Sequence, residues 1–323
     1  GENIQGYTFL PLTLAAGTIQ VHGNDEIHGG DGIDFIYGNG GNDTLYGDAG
    51  DDTIFGNIGT DSILGGDGAD SIDGQFGDDT INTGAGDDYA VGGEGADTFI
   101  VEDGAGVDTI VGGESGTDND VLQSSITTDT VLDLSDGGAA DPESGTLTSN
   151  SGADVVNFSE IETVVLGSGD DTVIGSSGAD SVLTGDGADI IDGGAGDDSF
   201  VVDDGATADD GAVDTVIFAD GDGNDTVGGF EGPTDNGDGT FTGHDQFDVS
   251  QMTDAGGDPV NVADVVVSDD GTGNAVLTFP NGESVTLTGI TPAAVSTPAA
   301  LVAMGIPSDE IVEGTAGADL IDT

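Results

Sequence analysis

Not one of the 323 residues is lysine or arginine. Set against 65 aspartates and glutamates, that leaves a formal charge of −65 at pH 7. Ion pairing within the chain is confined to three histidines and the terminal amine. Nucleic acid is excluded as a partner, because nothing here neutralises phosphates. An anionic membrane surface repels the chain for the same reason. Cysteine is also absent, which rules out disulfides and thiolate-ligated zinc. Aromatics make up 5% and apolar residues 35%, the latter below the roughly 45–50% of ordinary globular chains. One large core is not to be expected from this; thin slices of core in a repeating fold suit it better. No apolar run reaches the roughly 18–20 residues of a membrane-crossing helix. No cleavable signal peptide shows either: Phe9–Ala16 is apolar, but no basic residue precedes it. By composition alone the chain reads as a solvated polyanion.

What is present overrides that reading. Aspartate recurs at Asp25, Asp34, Asp43, Asp52, Asp61, Asp70, Asp79, Asp88 and Asp97, an unbroken spacing of nine. Around each, glycine clusters in the first four positions, aspartate holds the sixth, and the eighth is apolar: Ile36, Leu45, Ile54, Ile63, Ile72, Ile81, Ala90, Phe99. The glycine-rich half can turn sharply, and the other half alternates as a short strand does. Nine residues make one turn and one strand, and two units make a coil of 18. Residues 18 apart then stack one strand spacing apart, about 4.8 Å. Asp25, Asp43, Asp61, Asp79 and Asp97 fall along one edge, and Asp34, Asp52, Asp70 and Asp88 along the other. Carboxylates that close repel by roughly 0.9 kcal/mol in water and about 3–4 kcal/mol at an intermediate dielectric. Repeated along both edges, this opposes folding unless a divalent cation sits between turns. A flexible cage of hard oxygens favours calcium.

The pattern resembles the RTX (hemolysin-type) calcium-binding nonapeptide, G-G-x-G-x-D-x-U-x, as in Gly29–Tyr37, Gly38–Tyr46 and Gly65–Asp73. That resemblance implies a β-roll with calcium between turns n and n+2. One turn would give its aspartate and the carbonyls of positions two and four; the later turn would give its aspartate and the carbonyls of positions one and three. The sites so implied are Asn39, Gly41 and Asp43 with Gly56, Ile58 and Asp61, then Asp48, Gly50 and Asp52 with Gly65, Asp67 and Asp70. Gly30, Gly32, Gly59 and Gly68 belong to the same donor set by position. The first roll would hold about seven ions or more.

The strict register ends near Ile100, and a degenerate unit follows with Asp108 in sixth place. A second series, Asp171, Asp180, Asp189 and Asp198, restores the spacing, with Glu162 in the aspartate position of the preceding strand. Asp225 is a weaker match, and its neighbourhood approaches an EF-hand loop but lacks the required glycine. Gly314–Asp322 is one further unit, with Asp319 sixth. The expected fold is all-β: two parallel β-roll blocks plus a small antiparallel β cap with one short helix. Its divisions would be an N-terminal segment 1–21, a first roll 22–111, an irregular insertion or loose β segment 112–153, a second roll 154–204, an acidic glycine-rich connector 205–244, a cap region 245–306 and the terminal repeat 307–323. In the cap, Asp264–Ser268, Ala275–Phe279 and Ser284–Ile290 read as antiparallel strands with a turn at Pro280–Gly282. Thr297–Gly305 carries helix start and stop signals.

Catalytic signatures are missing. There is no HExxH, no GxSxG and no phosphate loop with its lysine. His22 and His28 flank the first repeat without another imidazole near, and His244-Asp245 has no supporting serine motif. Thr44, Thr53, Ser62, Ser71 and Thr80 would form outward hydroxyl ladders, a common family feature. The expectation is a non-enzymatic, calcium-binding structural protein, secreted to the extracellular space or cell surface. The resemblance implies export by type I secretion and folding on calcium afterwards. Gly314–Asp322 suggests head-to-tail self-association into a filament or matrix, or else the stub of a longer chain. The alternatives are the RTX carrier region of a secreted enzyme and an adhesin binding glycan or ice.

Overall fold

The computed structural model describes residues 23–113, 119–135, 143–203 and 212–309. The N-terminal segment 1–21, His22 and the repeat around Asp319 lie outside the described residues. From Glu26 the strands alternate between two sheets. Glu26–Asp31, Thr44–Ala49, Ser62–Asp67, Thr80–Ala85 and Thr98–Val101 enter a 13-stranded sheet. Phe35–Gly40, Thr53–Ile58, Ser71–Phe76, Tyr89–Glu94 and Val107–Gly113 enter a 12-stranded one. Pairing is parallel and in the 18-residue register: Thr44 faces Ser62 and Ser62 faces Thr80, with Leu45 on Ile63 and Ile63 on Ile81.

Strand alternation explains the core. The eighth-position side chains Leu45, Ile54, Ile63, Ile72, Ile81 and Phe99 point between the sheets and are at most 2% exposed. Their neighbours in the strand, Thr44, Ser62 and Thr80 among them, are partly or fully exposed. Each coil thus buries one thin layer of side chains, and the layers stack into a single column. Ile63→Ala strips one of the two eighth-position side chains from a coil and is expected to cost about 2–5 kcal/mol of stability in calcium. Chemical denaturation at saturating calcium measures it.

The two repeat blocks share both sheets. Val121–Ser124 pairs with Thr98–Val101 on one side and Thr163–Val165 on the other. In the second sheet, Val107–Gly113 pairs with Val155–Ser159. An antiparallel hairpin, Thr130–Asp133 with Gly145–Ser149, then links Val155–Ser159 to Thr172–Ile174. Residues 112–153 lose the nine-residue period yet supply strands to both sheets, because pairing needs an extended apolar-alternating run and not a fixed turn length. The strands of the second block, Thr172–Ile174, Ser181–Leu183, Ile190–Asp192 and Ser199–Val201, have three residues, against six for most of the first.

The far end is closed by the expected hairpin. Ala275–Thr278 and Ser284–Leu287 pair antiparallel, and Ser284–Leu287 continues the roll by pairing parallel with Asn224–Gly228. A helix Pro298–Ala303 lies where Thr297–Gly305 was expected, and the Thr297 hydroxyl accepts from the Ala300 N–H at 3.1 Å. A single turn, Pro292–Val295, precedes it. Leu301, Met304 and Ile306 are buried with Phe247 and Val249 over the last coil. No helix among the described residues is long and apolar enough to cross a membrane. Among the described residues, Glu26–Asp31 and Phe35–Gly40 are the strands at the near end of their sheets.

Candidate calcium sites

Each repeat aspartate is fixed by the coil before it. The N–H of Asp43 donates to Asp61 Oδ1 at 2.7 Å, that of Asp61 to Asp79 at 2.7 Å, and that of Asp79 to Asp97 at 2.7 Å. On the other edge Asp34, Asp52 and Asp70 donate to Asp52, Asp70 and Asp88 at 2.7–2.8 Å. From Asp43 to Asp97, one oxygen of every carboxylate is thereby spent on the stack. The other is buried with no hydrogen-bond partner at Asp52, Asp61, Asp70, Asp79, Asp88 and Asp97, as is Asp34 Oδ2. An orphaned carboxylate oxygen in a dry interior is costly unless a cation meets it.

First-position glycine makes room at that oxygen. A Cβ on Gly38 would lie 2.6 Å from Asp43 Oδ2 and 2.6 Å from the carbonyl of Gly56, one coil on. On Gly56 it would lie 2.6 Å from Asp61 Oδ2 and 2.8 Å from the Gly74 carbonyl. Fourth-position carbonyls face the next coil: those of Gly41 and Gly50 crowd Gly59 and Gly68, and Asp61 Oδ1 is also near Gly59. The second position turns left-handed, with φ of 72° at Asn39, 71° at Asp48 and 76° at Asn57, and the Asp48 carbonyl faces Gly66. Asp43, Gly41, Gly56 and Asp61 are therefore drawn to one coil contact. The third-position carbonyls of Ile58 and Asp67 each accept a hydrogen bond, from Gly41 at 2.9 Å and Gly50 at 2.7 Å, which leaves one lone pair apiece. Gly30 and Gly32 sit at the open end with φ of 101° and 114°, and Gly65 faces the Asp70 carboxylate as Gly56 faces Asp61. Among the described residues no three acidic or histidine side chains gather as a metal cluster. The donor set is one or two carboxylates with main-chain carbonyls, hard oxygens of the kind calcium takes in a cage of 6–8.

The charge state follows from this burial. Burial, and then the neighbouring carboxylates along the ladder, push Asp97 up to about 8, and Asp79 and Asp88 up to about 7. Asp52 and Asp108 rise to about 6. In the second block Asp171, Asp198 and Asp225 are pushed to about 7 by the same cause. The ladder hydrogen bonds pull the other way and lose. No basic side chain exists to reverse it; His28 spends itself on Asp48 at 3.2 Å, and His244 on Glu231 at 3.4 Å.

The ladder also runs through residues outside the nine-residue spacing. Asp97 donates to Asp120 at 2.7 Å, and Asp120 to Glu162 Oε2 at 2.5 Å. Asp189 donates to Asp214 at 2.8 Å, and Asp214 to Asp245 at 3.0 Å. Asp88 donates to Asp108, Asp171 to Asp189, Asp180 to Asp198 and Asp198 to Asp225 at 2.8–3.0 Å. Asp120, Asp214 and Asp245 were not singled out by spacing. The signal that marks them is local: aspartate followed two residues later by a buried apolar side chain, Leu122, Val216 and Phe247. Asp319 lies outside the described residues.

A family model for the RTX calcium-binding nonapeptide repeat matches residues 23–54, 55–90, 64–99, 73–107, 84–115 and 166–200. Among solved structures, the chain is similar to the AlgE6R3 subunit from the Azotobacter vinelandii mannuronan C5-epimerase. Identity there is 22%, covering 44% of this chain and 74% of that one, with a TM-score of 0.23. It is also similar to the extracellular lipase LipA from Serratia marcescens at 18% identity, covering 85% of this chain and 39% of that one, with a TM-score of 0.21. No curated protein matches.

Proposed function

From the premise that residues 23–115 and 166–200 are RTX calcium-binding repeats, we propose that the protein is an extracellular structural protein, not an enzyme, that folds on calcium after export and assembles end to end. The observation that carries this reading is the double ladder of buried carboxylates in a chain with no lysine or arginine. Such a ladder is tolerable at neutral pH only with a cation supplied from outside. Calcium at ten times its dissociation constant adds about 1.4 kcal/mol per site, so several sites acting together switch a domain whose stability is about 5–15 kcal/mol. Low calcium before export and high calcium outside would set the direction of folding.

End-to-end assembly is supported by the terminal strands Glu26–Asp31 and Phe35–Gly40, each paired on one side only among the described residues. A strand edge of this kind is a template for another coil. The unit Gly314–Asp322 has the sequence to provide one. Sedimentation and negative-stain imaging should show polymers in calcium and none in chelator. Deleting Gly314–Thr323 should leave a calcium-folded monomer; fibres from the truncated chain would sink the assembly mechanism.

A further inference from the structure

Asp108 and Asp180 differ from the other aspartates of the nine-residue series in what meets their oxygens, as does Asp245 beyond it, whose two oxygens accept from the Asp214 and Glu231 N–H groups. The first position of the repeat is glycine from Gly29 through Gly74 and again at Gly92, but Thr83 stands there before Asp88. Thr83 is fully buried. Its Cβ occupies the place that glycine leaves open elsewhere for a carboxylate oxygen and a carbonyl. Its hydroxyl donates to Asp108 Oδ2 at 3.2 Å, while Asp108 Oδ1 accepts from the Asp88 N–H at 3.0 Å. Both Asp108 oxygens are therefore met by protein donors.

Asp180 reaches the same end by another route. The second position before it is Ser176, which is absent from the left-handed residues, unlike Asn39, Asp48, Asn57 and Gln75 at that position. The Ser176 carbonyl still faces the next coil, at Gly194, and accepts from the Ala195 N–H at 3.2 Å. Its N–H turns onto Asp180 Oδ2 at 2.7 Å, and its hydroxyl donates to Asp180 Oδ1 at 3.0 Å. Ser176 is 5% exposed, so these donors are inside the stack. An N–H aimed into the cage presents positive charge where an ion needs a lone pair.

We propose that Thr83 and Ser176 take the place of calcium at Asp108 and Asp180, so that these two coil contacts are metal-free joints in a roll that is otherwise loaded with ions. This rests on the calcium reading given above. The ladder from Asp34 to Asp97 takes the ions, and the joints hold the stack where the first block ends and within the second. Donor hydrogen bonds replace an ion there at the level of single coil contacts.

The test is the calcium stoichiometry of the full-length chain, by equilibrium dialysis and native mass spectrometry at saturating calcium. Thr83→Gly opens the cradle, and Ser176→Gly restores the left-handed turn; each is expected to bind one further equivalent of calcium. Gly56→Thr builds the Thr83 arrangement into a regular coil and is expected to lose one. Unchanged stoichiometry in Thr83→Gly and Ser176→Gly, with wild-type far-UV circular dichroism, overturns the inference. If either opened variant fails to fold, Gly56→Thr decides: retention of every ion overturns it. A wild-type chain that binds no calcium would instead overturn the calcium reading itself.

Discussion

In excess chelator at about pH 8 the chain is expected to lose its far-UV β signal, and acidification to about pH 5 without any metal is expected to restore it. The sign follows from the direction of the shifts. Asp97 is pushed up to about 8 and Asp79, Asp88, Asp171, Asp198 and Asp225 to about 7, by burial first and by nearby carboxylates second. In the unfolded chain the same groups titrate near about 4. Each holds its proton more tightly folded than unfolded. Its contribution to stability is complete below about pH 4 and is lost as the pH rises through about 6 to 8. The overall charge of −65 acts in the same direction, since protonation relieves self-repulsion. Calcium replaces the protons: binding needs ionised carboxylates and expels them. Because the unfolded carboxylates are already ionised between about pH 6 and 8, the calcium needed to half-fold the chain should not rise as the pH falls across that interval, while the metal-free fold gains. Circular dichroism titrations at a series of pH values measure both trends. A metal-free chain equally folded at both ends of the range would refute the account of the ladder.

Much of this is legible in the sequence because one number, nine, carries three constraints at once. The turn length, the inward apolar residue and the carboxylate all repeat together between Asp25 and Asp97, so the 18-residue register of Thr44 on Ser62 could be written from spacing alone. Where a coil lengthens, those constraints separate. From Asp97 to Asp120 the ladder steps 23 residues, and from Asp189 to Asp214 it steps 25. Stacking still requires the carboxylate and the buried residue two places on, but the turn outside the stack is free to grow. The continuity of the two blocks was hidden for a related reason. Gly145–Ser149 joins its sheet antiparallel, between two strands that are parallel elsewhere. No parallel repeat announces such a hairpin. The hydroxyl captures at Asp108 and Asp180 were hidden because threonine and serine are ordinary residues in turns; only burial and geometry reveal what they touch.

Asp79→Asn is expected to change sign with calcium. The amide keeps the shape of the carboxylate and its Oδ1, so it still accepts from the Asp61 N–H, a 2.7 Å bond in the native ladder. It removes the buried ionisable oxygen that has no hydrogen-bond partner. Without metal, the variant no longer has to bury a charge or hold a proton at a site pushed up to about 7 by burial and by Asp61. Its acid-induced folding in chelator should then begin at a higher pH than in the wild type. With metal, the loss falls on two coil contacts, since Asp79 stacks between Asp61 and Asp97. Calcium affinity follows the charge count of the ligands, and the calcium needed for half-folding should rise roughly tenfold or more, about 1.4 kcal/mol per decade. A residue that only packs would move stability the same way in both conditions, as Ile63→Ala should. If Asp79→Asn weakens the fold in chelator and in calcium alike, the buried oxygen is not where the ion acts, and the ladder is a hydrogen-bonded scaffold alone.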